Sequence, residues 1–170
     1  MLLLDEPTTG VDPVTRQDFW QLVIKLVSVP VTVNPADDNS EQGQGVSVII
    51  STPYMDEASR CHRVGFMRDG RIIAEDTPSN LRARLNNRVL ELRGSPINIL
   101  RDVARKDQDV EDVQAFGDRL HIRVGENKAQ SVLSRLKSGI RSEGGRVDEL
   151  RSVPPILEDV FIALSESNHE

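Results

Sequence analysis

The sequence predicts a mixed α/β fold in two parts, and three observations carry this prediction. Two short, unbroken apolar runs, Met1 to Leu4 and Val46 to Ile50, are typical of strands buried on both faces of a parallel sheet. A helical pattern lies between these runs, so the three segments form a right-handed βαβ unit. From Arg88 to Glu170 the patterns follow one another as β-α-β-β-α-β, which is the split ferredoxin-like order.

The composition limits the class of protein and its partners. The chain has 170 residues, of which 38% are apolar and 28% charged, as is usual for a soluble globular protein. Its net charge of -6 argues against a nucleic-acid surface. The single cysteine, Cys61, cannot form an internal disulfide, which suits a reducing compartment such as the cytosol. The apolar start is too short for a signal peptide, and no apolar run approaches the ~18 to 20 residues that span a bilayer.

The helix of the first part begins at a clear signal. Asp12 is predicted to N-cap it, and Pro13 occupies its first position. The residues at helical spacing define an expected buried face: Phe19, Leu22, Val23, Leu26 and Val27. The polar, non-periodic stretch from Asn34 to Gly45 is predicted to be a flexible surface loop.

Three further elements are expected after the second strand. Thr52 is predicted to N-cap a short helix, with Pro53 in its first turn. Asp69-Gly70 then joins two strands as a hairpin. Thr77-Pro78 opens a helix that ends near Asn86-Asn87, where we place the domain boundary. The predicted domains are therefore residues 1–87 and 88–170.

The second part divides into four strands and three helices. The strands are expected at Val89 to Arg93, Val110 to Phe116, Leu120 to Val124 and Val147 to Val153, and the first two helices at Ile97 to Arg105 and Lys128 to Ser142. The second helix buries one face and is stopped by Gly144-Gly145. That face consists of Ala129, Val132, Leu133, Leu136 and Ile140. A last helix follows two prolines and is expected to turn Ile156, Val160, Phe161 and Leu164 inward.

Asp5 and Glu6 follow the first strand, at the sheet edge where open α/β sheets bind their ligands. Such a pair alone is more often a solvated strand end than a catalytic site. The longer string "LLLDEPTTGVDP", however, resembles the Walker B segment and D-loop of ATP-binding cassette (ABC) ATPases of the transporter branch. "VIISTPYMDEASRCHRVGFMRDGRIIAEDTPSNLRARL" is similar to the switch region and closing strands of drug-export ABC ATPase subunits. "VPPILEDVFIALSES" resembles the end of their accessory C-terminal domain.

The resemblance implies a fold and a set of roles. The fold would be the back half of the parallel sheet of a P-loop NTPase, the ABC cassette, followed by an α+β ferredoxin-like accessory domain. Asp5 would help to hold the Mg²⁺ of MgATP through water. Glu6 would polarise the attacking water, and Asp12 would lie between two cassettes besides capping its helix.

The same resemblance implies partners and a location. A second cassette would complete a dimer, and a membrane permease would hold it at the inner face of the cell membrane. Neither nucleic acid nor direct membrane insertion is expected.

Three departures from the family pattern change the expected function. Pro53 stands where the family has a switch histidine, and proline has no side-chain donor; its alternative role is simply to open a helix. The 170 residues contain no G-x-x-x-x-G-K-[ST], no Q-loop and no LSGGQ-like signature. The stretch from Asn34 to Gly45 is an insertion. We therefore expect a truncated ATP-binding subunit that does not hydrolyse ATP alone; the alternative is a non-catalytic interaction or regulatory module that pairs with a full-length cassette.

The remaining reactive side chains suggest no second chemistry. The three histidines, His62, His121 and His169, are far apart and have no acid or cysteine partners at ligand spacing. Cys61 has no neighbouring base, and Trp20 and Tyr54 are interpreted as packing residues. A free-standing small-molecule sensor built on the second part has only its fold in support.

Overall fold

The computed structural model describes residues 1–28 and 46–166 and divides into two compact units, Met1–Ala58 and Ser59–Glu170. The predicted loop from Asn34 to Gly45 lies outside the described residues, as does His169. The predicted boundary after residue 87 falls inside the second unit, and as a statement about domains it stays a prediction. Parallel and antiparallel sheets occur together with helices, so the predicted mixed α/β class is confirmed.

The first unit is built on two short parallel strands, β1 (Leu2–Asp5) and β2 (Val48–Ser51). Their side chains alternate between the two faces, as strand geometry requires. Leu3 and Ile49 are register partners, and they are 64% and 58% exposed. The prediction that both strands are buried on both faces is therefore wrong, because no described residue covers the face that carries these two side chains.

Helix α1 (Pro13–Ser28) begins as predicted, since the amides of Val14 and Thr15 donate to Asp12 Oδ1 at 3.0 and 3.1 Å. The predicted buried face is only partly correct. Trp20 and Val23 are buried, whereas Leu22 and Leu26 are exposed. The apolar residues of this helix surround its axis, so the spacing could not specify which stripe is covered. The unit ends with α2 (Met55–Ala58).

The second unit begins with the hairpin β3 (Val64–Arg68) and β4 (Arg71–Asp76), joined by the predicted turn at Asp69-Gly70. Helix α3 (Pro78–Ala83) follows, and Thr77 caps it by accepting from the Asn80 amide at 3.2 Å. The hairpin contacts the last helix of the unit through Phe66 and Phe161. Their rings pack edge to face, with 5.4 Å between the ring centroids. Residues 59–87 therefore pack against the part of the chain that follows them.

A four-stranded antiparallel sheet forms the rest of the second unit, in the order β6-β7-β5-β8. Its strands are β5 (Val89–Ser95), β6 (Val110–Phe116), β7 (Arg119–Val124) and β8 (Arg146–Ser152). The helices are α4 (Ile97–Lys106), α5 (Ala129–Ser142) and α6 (Leu157–Glu166). The bounds lie within two residues of those predicted.

Helices α4 and α5 close the hydrophobic core of this sheet. The predicted face of α5 is confirmed, because Val132, Leu136 and Ile140 are fully buried and Ala129 and Leu133 pack beside them. The predicted inward face of α6 is partly correct: Val160 is buried, whereas Ile156, Phe161 and Leu164 are half-buried, and the helix also buries Leu157 and Asp159. Within the described ranges, no helix has the length and apolar character needed to cross a bilayer.

Candidate functional site

The two acidic residues lie at the carboxyl end of β1, beside the end of β2. Asp5 is the register partner of Ser51, and the Ser51 hydroxyl donates a hydrogen bond to Asp5 Oδ1. The Glu6 amide donates to Ser51 Oγ at 2.9 Å and to the Ser51 carbonyl at 3.1 Å. Both acidic residues are exposed, so their carboxylates are open to a ligand from solvent.

A tight turn after β1 holds the Glu6 side chain. The hydroxyl of Thr9 donates to Glu6 Oε2 at 3.1 Å, and the Thr9 amide donates to the Glu6 carbonyl at the same distance. The backbone of Glu6 has a positive φ of 42°, an uncommon conformation for a residue other than glycine. The carboxylate is thus directed by its own turn and by the end of β2.

Pro53 follows β2 at an exposed position, two residues after Ser51. Its neighbour Thr52 accepts a hydrogen bond from the Tyr54 amide at 3.1 Å through its hydroxyl. The predicted helix starts two residues later than expected, at Met55, and has a single turn. The structure therefore places position 53 in the turn that leaves β2, in the same unit as the two acids.

Asp12 is directed toward its own helix. The pKa of its carboxyl group lies below the ordinary value of 3.8, chiefly because the Thr15 side chain and amide donate hydrogen bonds to it. Among the residues that the structure describes, no hydrogen bond or ion pair joins Asp12 to Asp5 or Glu6. The capping role is visible, and the role between two cassettes stays a prediction.

A buried acid that the sequence did not single out lies beside these turns. The side chain of Glu57 on α2 is 0% exposed, and its Oε2 accepts from the hydroxyls of Thr8 at 3.0 Å and Thr52 at 2.7 Å. Arg16 Nε lies 3.7 Å from Glu57 Oε1. The sequence carries no local signal for this burial, because an acid in a short helix has the same neighbours along the chain whether it is buried or exposed.

The second unit contains a separate polar cluster around His121. His121 Nδ1 lies 3.0 Å from Asp159 Oδ1, and Nε2 lies 3.8 Å from Glu91 Oε2. Neither acid lies at metal-ligand spacing from His121 in the sequence; both come from distant positions, which the sheet and α6 bring together. Asp159 also accepts from the Ile156 amide at 2.9 Å, which fixes the start of α6.

Glu91 is the most buried acid of this cluster. Its burial opposes ionisation, but hydrogen bonds from Arg151 and Arg119 outweigh this effect and keep the pKa of the carboxyl below its ordinary value of 4.5. Within residues 1–28 and 46–166, no group of three His, Cys, Asp or Glu side chains is arranged to hold a metal ion. The cluster is thus an ion-pair network on one face of the sheet.

Comparisons with known proteins show that the chain is similar to ATP-binding proteins of export and resistance systems. It is 34% identical over 169 residues to the Nod factor export ATP-binding protein I of Paraburkholderia xenovorans, which covers 97% of this chain and 47% of that protein. It is 29% identical over 170 residues to a daunorubicin resistance ATP-binding protein of Streptomyces coeruleorubidus. This alignment covers 97% of this chain and 48% of that protein. A daunorubicin/doxorubicin resistance ATP-binding protein of Streptomyces peucetius is 37% identical over 94 residues, 55% of this chain and 24% of that protein. No model of a protein family matches.

The alignments determine which part of the relatives corresponds to this chain. The chain spans about half the length of the two relatives that it matches from end to end, 47% and 48%. The matched half is their C-terminal portion.

Proposed function

Because the chain is homologous over 97% of its length to the C-terminal portion of ABC transporter ATP-binding proteins, we propose that it acts as the acid-bearing part of an exporter's ATP-binding subunit. The observation that supports this most is the position of Asp5 and Glu6, at the end of a strand that runs parallel to β2. The relatives are named for different cargoes, daunorubicin and Nod factor, so we propose export without a particular cargo.

The residues of this chain fit one part of a MgATP site. Mg²⁺ prefers oxygen ligands and keeps most of its water, and the exposed carboxylate of Asp5, oriented by Ser51, suits such an ion. The phosphates require backbone amides and a lysine in a G-x-x-x-x-G-K-[ST] loop, and the 170 residues contain no such loop. When bound, Mg²⁺ would neutralise charge on the phosphates. We propose that Asp5 holds this ion through water.

Each remaining site residue has a proposed role. Glu6, whose Oε2 accepts from Thr9, would take the proton of the attacking water. Pro53 would leave the switch position without a donor to the terminal phosphate, which lowers the rate of hydrolysis. Asp12 would lie at the contact between two cassettes.

The rest of the assembly follows from the same proposal. Arg88 to Glu170 would be a ferredoxin-like accessory domain, supported by the strand order β6-β7-β5-β8. The subunit would pair with a second cassette and bind a membrane permease at the inner face of the membrane. Its net charge of -6 gives no support to a nucleic-acid partner.

Nucleotide binding tests the proposal. Titration of the isolated chain with a fluorescent ATP analogue and Mg²⁺ should show no saturation up to about 1 mM, because these residues provide no phosphate loop. Addition of the preceding half of the Paraburkholderia relative as a separate polypeptide should restore binding. In that mixture, Glu6→Gln should leave the affinity for the nucleotide unchanged and lower the rate of ATP hydrolysis by about 10²- to 10⁴-fold. A micromolar dissociation constant for the isolated chain, or no binding by the mixture, would contradict the proposal.

A second candidate function is a non-catalytic module that pairs with a full-length cassette. It is favoured by Pro53, which stands at the switch position and has no side-chain donor. In this case the chain should bind a full-length relative, and Glu6→Gln should change neither that binding nor the relative's ATP hydrolysis. A loss of hydrolysis with Glu6→Gln would favour the first function.

A further inference from the structure

The carboxylate of Glu57 is buried without access to solvent, although it belongs to a helix of only four residues. Removal of a carboxylate from water is costly unless hydrogen bonds and opposite charges compensate for it. Its Oε2 accepts two hydroxyl hydrogen bonds, from Thr8 and Thr52, and its Oε1 faces Arg16 Nε at 3.7 Å. The two hydroxyl hydrogen bonds therefore link Glu57 to residues that lie in two different turns.

The two threonines belong to the two turns that carry the proposed nucleotide residues. Thr8 lies in the turn after β1, two residues after Glu6, and its carbonyl accepts from the Val11 amide at 3.2 Å. Thr52 lies in the turn after β2, immediately before Pro53, and its hydroxyl accepts from the Tyr54 amide at 3.1 Å. A single oxygen atom therefore joins both turns.

Helix α1 is attached to the same carboxylate through Arg16. The guanidinium carbon of Arg16 lies 4.6 Å from the centre of the Tyr54 ring, so this cation also contacts the turn after β2. Arg16 thus supports the Glu57 charge and the Tyr54 side chain together. Arg16, Thr8 and Thr52 therefore all contact Glu57 on α2.

We propose that Glu57 is a positioning residue that couples the turn after the acidic pair to the turn that carries position 53. Through Thr8 and Thr52 it sets the distance between the Glu6 carboxylate and the switch position. Its importance for nucleotide chemistry rests on the proposed function, but the coupling of the two turns is a property of this chain alone.

The coupling can be measured by amide hydrogen exchange in the 170-residue chain, with Val11 and Tyr54 as reporters for the two turns. Thr8→Val should speed exchange at Tyr54, and Thr52→Val should speed exchange at Val11, by about tenfold each, the size expected for a hydrogen bond to a charged group. Thr8→Ser and Thr52→Ser keep the hydroxyl, so these variants should exchange the Val11 and Tyr54 amides at the wild-type rates. Thr9→Val is the matched control, because the Thr9 hydroxyl binds Glu6; it should leave Tyr54 unchanged.

Glu57→Leu removes the shared acceptor while keeping most of the side-chain volume. In this background, Thr8→Val should have no further effect at Tyr54, and Thr52→Val none at Val11. The cross-turn effects of the threonine variants are decisive even if Glu57→Leu does not fold, because they leave Glu57 in place. Changes confined to the substituted turn, or a coupling that survives in Glu57→Leu, would overturn the proposal. No nucleotide is present, so the result is independent of whether the chain takes part in ATP binding.

Discussion

Ser51 and Asp5 are register partners on parallel strands, and the Ser51 hydroxyl donates to the Asp5 carboxylate across the ends of these strands. Ser51→Ala removes this donor and the acceptor for the Glu6 amide. We expect a loss of about 1 kcal/mol in the free energy of unfolding of the first unit, measured by urea titration. Ser51→Thr keeps the hydroxyl and should retain the wild-type stability. Equal midpoints for the two variants would contradict a role for the hydroxyl.

Two spectroscopic probes separate the units. The only tryptophan, Trp20, and the only tyrosine, Tyr54, both lie in the first unit, whereas most of the secondary structure lies in the second. The first unit buries few apolar side chains and exposes Leu3 and Ile49, so it should be the less stable unit.

The Trp20 fluorescence of the isolated chain should therefore change at a lower urea concentration than the far-ultraviolet circular dichroism. Leu100→Ala, in the core of the second unit, should lower the free energy of unfolding of that unit by about 2 to 5 kcal/mol. The urea midpoint followed by circular dichroism should fall, and the midpoint followed by Trp20 fluorescence should not change. Coincident transitions for both probes would show that the two units unfold together.

Limited proteolysis tests the domain boundary. The sequence predicts a resistant fragment that begins near Arg88, but Phe66 and Phe161 are in contact and α3 packs on α6. We expect the resistant fragment to begin near Ser59, because the hairpin and α3 share the second unit with the four-stranded sheet. Mass spectrometry of the fragment gives its first residue. A start near Arg88 would support the boundary predicted from sequence instead.

The Glu91 ion-pair network makes a stability contribution that depends on pH. The pKa of the Glu91 carboxyl is lower in the folded chain than the ordinary 4.5. The contribution to stability is therefore present above pH 4.5 and is lost as the pH falls through the folded pKa of Glu91. Glu91→Gln should lower the stability of the second unit by about 1 to 2 kcal/mol at pH 7.

The difference in the free energy of unfolding between Glu91→Gln and wild type should shrink as the pH falls below 4.5, the ordinary pKa of the carboxyl. Urea titrations at pH 7, 5 and 3.5, followed by circular dichroism, measure this change. Glu75→Gln is the control, because Glu75 forms an exposed ion pair with Arg63 that is worth little. A difference for Glu91→Gln that stays constant with pH would contradict the lowered pKa.

Gly94 lies at the bulge where β5 meets β8, in a conformation with φ of 158°. A Cβ atom at this position would lie 2.0 Å from the carbonyl oxygen of Arg146, which belongs to the backbone and cannot rotate away. Gly94→Ala should therefore destabilise the second unit by about 3 kcal/mol. Gly117→Ala, in a turn with open space around it, should cost about 1 kcal/mol. Similar thermal midpoints for the two variants would show that the bulge can relax.

Local sequence signals were sufficient for several elements. Asp12 caps α1, Asp69-Gly70 joins the hairpin, and Thr77 caps α3, because each of these depends on residues within a few positions of one another. The buried face of α5 was also predictable, since apolar residues three and four positions apart lie on one side of a helix.

Contacts between distant residues were not predictable in the same way. The sequence placed Asp5 and Glu6 at a strand end but did not indicate Ser51, which is 46 residues from Asp5. It did not indicate that Glu57 would be buried, nor that Asp159 would bind His121 from 38 residues away. Nor did the apolar runs specify which face of the two strands is exposed; the structure shows that it is the face of Leu3 and Ile49.

The sequence by itself therefore determined the elements, their caps and turns, and the homology that suggests a nucleotide site at Asp5 and Glu6. Only the tertiary structure decided which side chains surround that site. The physical reason is that backbone pattern depends on neighbours along the chain, whereas the environment of a charge depends on which strands pair and in what register. Glu57 illustrates the difference. Its single helical turn does not by itself determine whether the side chain is buried, whereas the parallel pairing of β1 with β2 brings Thr8 and Thr52 to its carboxylate.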